Sequence, residues 1–132
     1  MNTVEDRASS FGQTGFIHAD FAPQNYRCKR NTDLTAFDLD NCVRHWLAYD
    51  LAVAVSILTR SQEGEESIHQ LLTGYQEIAP LPCAREALQE LAKLRALYVL
   101  CDRIRADLRD DTTKGNAVAK ARGRLMALIP NK

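Results

Sequence analysis

The chain has 132 residues, enough for one domain with a single hydrophobic core. Lysine plus arginine and aspartate plus glutamate number 17 each, so the formal charge is zero and no basic stripe argues for nucleic acid. No apolar run reaches membrane-spanning length and the polar N-terminus is not a signal peptide, so the expectation is a cytoplasmic protein without membrane or nucleic-acid partners.

In chain order, residues 1–14 read as a loose lead-in, in which Phe11, with Phe16 just beyond it, is a strong apolar anchor. Gly15 to Ile17 then enters a stretch that carries His18, Asp20 and Asn25. Tyr26 to Cys28 and Leu34 to Phe37 read as two short strands around a polar turn, a small hairpin whose end returns Asp38 to the neighbourhood of Asn25. An acid and an amide five residues apart, joined by a second acid, suit a loop around a hard cation such as Mg²⁺, which takes carboxylate and amide oxygens. From spacing alone, ordinary turn chemistry is the more economical reading, because Asp and Asn cap helices and tolerate unusual backbone angles.

Asp40 is either a further metal carboxylate or a helix cap. His45, beside Trp46, reads as packing or a surface group and not as a ligand. Leu47 to Leu58 is apolar on nearly every face, which predicts a buried helix, with Asp50 in its first turns requiring a hydrogen-bond partner. After the polar break 61–66, Ile68, Leu71, Leu72 and Tyr75 form one helical stripe, ended by Pro80 and Pro82. A third helix is predicted from about Pro82 to Leu108, with Ala84, Ala87, Leu88, Leu91, Leu94 and Tyr98 inward, and a fourth over about 113–129. Cys28, Cys42, Cys83 and Cys101 form no Cys-x-x-Cys pair, so zinc is not expected and reduced, buried thiols are.

His18, Asp20 and Asn25, followed by Phe37-Asp38-Leu39-Asp40, resemble the catalytic loop and metal-binding segment of the aminoglycoside phosphotransferase and choline kinase-like family. Tyr49-Asp50-Leu51-Ala52 is similar to the start of a helix in that family, and Gly74-Tyr75 to a later segment, so the likeness runs over roughly residues 11 to 104. It implies the C-terminal lobe of a protein-kinase-like fold over residues 15–130: mainly α (α+β), with one small β-hairpin carrying the catalytic and metal loops. Asp20 would be the catalytic carboxylate at the acceptor hydroxyl, and His18 an architectural support. Asn25 and Asp38, more weakly Asp40, would be ligands of Mg²⁺ and the nucleotide, and Asp50 would brace the loop backbone. One departure is Ala19, where the family often has glycine; it matters only if the backbone there needs a positive φ.

The resemblance further implies ATP or GTP as phosphate donor and a small hydroxylated acceptor. The family's nucleotide lobe, with its strand-borne lysine, is expected to be absent, and no Gly-x-x-x-x-Gly-Lys cradle replaces it. The chain then reads as a truncated or split phosphotransferase with weak or no activity alone, completed by a separate N-terminal lobe or self-association. The alternative is a non-catalytic helical remnant that acts as a binding module.

Overall fold

A computed structural model describes residues 9–29, 33–62, 64–109, 119 and 123. The chain divides into two compact units, residues 1–93 and 94–132. Everything that positions the candidate site lies in the first unit.

Four short strands and three helices make up the described elements: β1 Thr14–Ile17, β2 Tyr26–Lys29, β3 Asp33–Ala36, β4 Val43–Trp46, α1 Ala48–Leu58, α2 Gly64–Gln76 and α3 Arg85–Arg109. Single 3-10 turns cover Pro23–Asn25 and Leu39–Asn41. The strands pair as two separate antiparallel ribbons, β1 with β4 and β2 with β3. The class is therefore mixed α and β.

The β2–β3 ribbon is the hairpin legible in the sequence. The β1–β4 ribbon corrects the expectation of one small hairpin alone. Its register sets Thr14 opposite Trp46 and Ile17 opposite Val43, and Leu47 N–H extends it by donating to the Gln13 carbonyl at 2.9 Å. Each strand has only four residues, too few for a clear alternation of polar and apolar side chains. The ribbon encloses the stretch 18–42, so the catalytic-type loop and the β2–β3 hairpin leave from one end of a closed ladder.

α1 is held in the core along most of its surface: Ala48, Leu51, Ala52, Val53, Val55 and Ser56 are all buried. The buried Ser56 hydroxyl donates to the Val53 carbonyl at 2.8 Å, which satisfies it within the helix. Thr59 and Ser61 cap the C-terminal end, their hydroxyls donating to the Val55 and Leu58 carbonyls, each at 2.8 Å. α2 turns Leu72 fully into the core, with Ile68, Leu71 and Tyr75 packed against it. From α3, Ala87, Leu88, Leu91 and Ala92 complete the cluster. These positions repeat at i, i+1, i+4 and i+5, one face of a helix.

Three members of the expected α3 stripe fall outside it. Ala84 lies before the helix and is exposed. Leu94 and Tyr98 are also exposed. The fourth predicted helix, about 113–129, falls outside the described residues apart from 119 and 123. No helix among the described residues is long and apolar enough to cross a membrane.

Phe11 is an anchor, buried and tilted onto Trp46 with ring centroids 4.8 Å apart. Phe16 is not: it stands 86% exposed on β1. The next residue after Phe11 is wedged in place. Gly12 has φ of 81°, and a β-carbon there would run into the Pro82 carbonyl just ahead of α3, so only glycine satisfies both the angle and the space. The thiols also correct an expectation: all four cysteines are free, but Cys28, Cys42 and Cys101 are exposed and only Cys83 is partly buried. Cys28 lies on a hairpin strand and Cys42 just ahead of β4, where a small ribbon has too little cover to bury either.

Candidate functional site

The site grows from the end of β1. Ile17 is buried, and the chain then turns through His18, Ala19 and Asp20. Ala19 has φ of 64°, a left-handed conformation that its β-carbon disfavours. Asp50, in the first turn of α1, supplies what holds it there. One carboxylate oxygen accepts the His18 backbone N–H at 2.8 Å and the other accepts the Ala19 N–H at 2.7 Å. Asp50 is thus half-buried and satisfied at both oxygens by main-chain donors. Charge-assisted bonds of this type are stronger than neutral ones.

His18 is buried, and its Nε2 lies 2.9 Å from the Phe37 carbonyl. A carbonyl only accepts, so Nε2 carries the proton and donates. The ring therefore ties the loop to the segment that carries Asp38. Phe37 is held from its other side as well, because its N–H donates to the Asn25 carbonyl at 3.0 Å. One peptide unit on each side of Phe37 is pinned, and Asp38 is the next residue. Asp38 itself is left-handed, with φ of 63° and ψ of 60°, and exposed. Aspartate is among the residues that tolerate this conformation.

Asn25 closes the loop. It is buried, ends the Pro23–Asn25 turn, and its Nδ2 donates to the Asp20 carbonyl at 2.9 Å and to Asp20 Oδ2 at 3.1 Å. Those two bonds fix the amide's orientation and leave Oδ1 as its acceptor atom. Around the loop, Phe21 stacks on Tyr26 at 5.1 Å and meets the His18 ring edge-on at 5.6 Å.

The structure therefore brings Asp20 and Asn25 into direct contact. It sets Asp50 behind the loop that leads to them and places Asp38 next to a residue bonded to Asn25. Asp40 sits exposed inside the Leu39–Asn41 turn, whose N-cap position is Asp38, without a side-chain cap bond. His45 packs edge-on against Trp46 at 4.6 Å and Tyr49 at 4.9 Å, away from these contacts in its role. Among the described residues no group of three or more His, Cys, Asp or Glu side chains is placed to hold a metal. The donor set in question is of another composition: an amide oxygen from Asn25 and the exposed carboxylate of Asp38. Both are hard oxygen donors, which fits a magnesium-type cation that completes its shell with water and phosphate.

Two residues have parts in the site that their side chains did not announce in the sequence. Phe37 acts through its backbone, which no side-chain pattern reports. Arg27 lies with its guanidinium carbon 5.3 Å from the Phe37 ring centroid.

A family model described as the phosphotransferase enzyme family matches residues 4–97, which includes every residue of this site. Neither the curated proteins nor the solved structures give a match to the chain.

Proposed function

The chain belongs to the phosphotransferase enzyme family, and on that premise we propose that it is the catalytic lobe of an ATP-dependent small-molecule phosphotransferase with a protein-kinase-like fold. The observation that carries the reading is the bonded set Asp50–His18/Ala19, His18–Phe37–Asn25 and Asn25–Asp20. It is one connected network that holds a carboxylate, an amide and a second acid at neighbouring positions.

Phosphoryl transfer asks the protein mainly for position and electrostatics. Asp20 orients the acceptor hydroxyl and takes its proton as the oxygen attacks the terminal phosphorus. The Asn25 amide, bonded to Asp20 Oδ2 at 3.1 Å, helps to orient that carboxylate. Asn25 Oδ1 and Asp38 would hold Mg²⁺, and His18 and Asp50 keep the loop backbone in the shape this requires. Magnesium, when bound, would neutralise the donor's phosphate oxygens. The acceptor class is a small hydroxylated molecule such as an aminoglycoside, an amino alcohol or a sugar.

The lysine-bearing strand and nucleotide loop that the resemblance implies have no counterpart among the described residues. A nucleotide-holding lobe, in a longer protein or a second chain, completes the site, and the 132-residue chain tested alone binds Mg-nucleotide weakly. A second reading, a non-catalytic interaction module, draws support from the exposed apolar side chains near the loop: Phe16, Leu34, Leu39 and Val43.

The test is phosphoryl transfer from ATP to a panel of hydroxylated amines, with the chain alone and with a supplied nucleotide lobe. Asp20→Ala and Asp38→Ala should each abolish turnover. Turnover that survives both changes, or none under any of these conditions, removes the enzyme reading in favour of the interaction module.

A further inference from the structure

We infer that Arg27 is a phosphate-binding residue, whose guanidinium holds the donor's phosphate chain on the hairpin that Asn25 leads into. The inference rests on the phosphotransferase reading above. In the β2–β3 ladder Tyr26 stands opposite Ala36 and Arg27 opposite Thr35. Just beyond the last ladder pair the Phe37 N–H donates to the carbonyl of Asn25, the last residue of its 3-10 turn, so the two are joined directly. Side chains alternate faces with a period of two. Within the ladder Arg27 and Thr35 therefore share one face, and the Phe37 ring, against which the guanidinium lies, is on that face as well.

The guanidinium is already oriented. Its carbon lies 5.3 Å from the Phe37 ring centroid, and Nη1 donates to the Tyr26 carbonyl at 2.9 Å. A cation over an aromatic face and one hydrogen bond restrain a side chain that is otherwise costly to order. Among the described residues one of its five N–H donors is used. Arg27 is exposed, and among the described residues no carboxylate pairs with it.

Its chemistry complements the rest of the site. Asp20, Asp38 and Asp40 would repel an anionic phosphate chain; a bound cation offsets part of that repulsion, and Arg27 adds a fixed positive charge. Arginine presents a planar fork that matches phosphate oxygens two at a time, which neither lysine nor a neutral side chain reproduces. Asn25 would thus offer an oxygen to the cation, and Arg27, lying against Phe37, donors to the phosphates.

The experiment is a titration of the full 132-residue chain with inorganic triphosphate plus MgCl₂, and separately with adenosine, at millimolar concentrations, followed by calorimetry and by the NMR signal of the Arg27 side-chain N–H. Arg27→Met keeps the apolar stem and removes the fork. It should weaken triphosphate binding about tenfold, the value of a charge-assisted hydrogen bond, and leave adenosine unchanged. Arg27→Lys should recover part of the loss. Triphosphate binding that is equal in wild type and Arg27→Met overturns the assignment while leaving the phosphotransferase reading intact. A loss confined to adenosine overturns it too, since the side chain would then lie against the base. If Arg27→Met does not fold, the wild-type N–H signal decides: movement with triphosphate supports the assignment, and no movement overturns it. A wild-type chain that binds neither triphosphate nor Mg-ATP, even with a supplied nucleotide lobe, brings down the reading itself and Arg27 with it.

Discussion

The carboxylate of Asp50 grips Ala19 at the point where the backbone is least comfortable: Oδ1 accepts the Ala19 N–H at 2.7 Å, and Ala19 has φ of 64°. The second oxygen of the same carboxylate takes the His18 N–H at 2.8 Å. A left-handed alanine persists only where its surroundings over-determine it, and here a single acid on α1 does so.

Ala19→Gly should therefore stabilise the fold. Removing the β-carbon relieves a strain of about 1–2 kcal/mol, against roughly 0.5–1 kcal/mol of added backbone freedom in the unfolded chain. Urea unfolding should show a net gain of about 0.5–1 kcal/mol with the m-value unchanged. A loss of stability would show that the positive φ is not strained.

Asp50→Asn should destabilise by about 1–3 kcal/mol, because the amide offers one acceptor oxygen and turns an N–H₂ toward a main-chain donor. The same variant should be less costly in the Ala19→Gly background, since the loop then needs less holding. A double-mutant cycle measures the difference. Strict additivity would mean that the carboxylate and the strained residue are not coupled.

Gly12→Ala should be more damaging than a loop substitution ordinarily is. The new β-carbon meets the Pro82 carbonyl, a backbone atom that cannot swing aside, and the φ of 81° is itself unfavourable for alanine. A cost of at least about 1–2 kcal/mol is expected. Thermal unfolding of this variant against Gly74→Ala, where a β-carbon meets nothing within 4 Å, gives the contrast.

Burial pushes the Cys83 thiol above its ordinary value of 9.0. Less thiolate is present at any given pH, so iodoacetamide should label the exposed Cys28, Cys42 and Cys101 before Cys83. The sign for stability follows: the folded state holds this proton more tightly, so the contribution is complete below the ordinary value and is lost as pH rises through the folded-state value. Peptide mapping after graded alkylation checks the order, and early labelling of Cys83 would contradict it.

Side-chain chemistry was the legible part of this protein. α2 and α3 could be read because apolar residues recur at helical spacing, as Ile68, Leu71, Leu72 and Tyr75 do on α2, and α1 because it is apolar on nearly every face. The hairpin could be read because its turn is polar and local. Asp20, Asn25 and Asp38 could be named because acids and amides in that order match a family pattern.

The contacts that connect these residues were decided only when the chain closed on itself. β1 finds β4 across the whole loop and hairpin region. Asp50 reaches His18 and Ala19 from a different helix. Phe37 links Asn25 and His18 through main-chain atoms that every residue possesses. Periodicity reports which face of an element is apolar, a property of neighbours in sequence. A hydrogen bond between distant backbone groups depends on where the packed core places them, and so only the tertiary structure determines it.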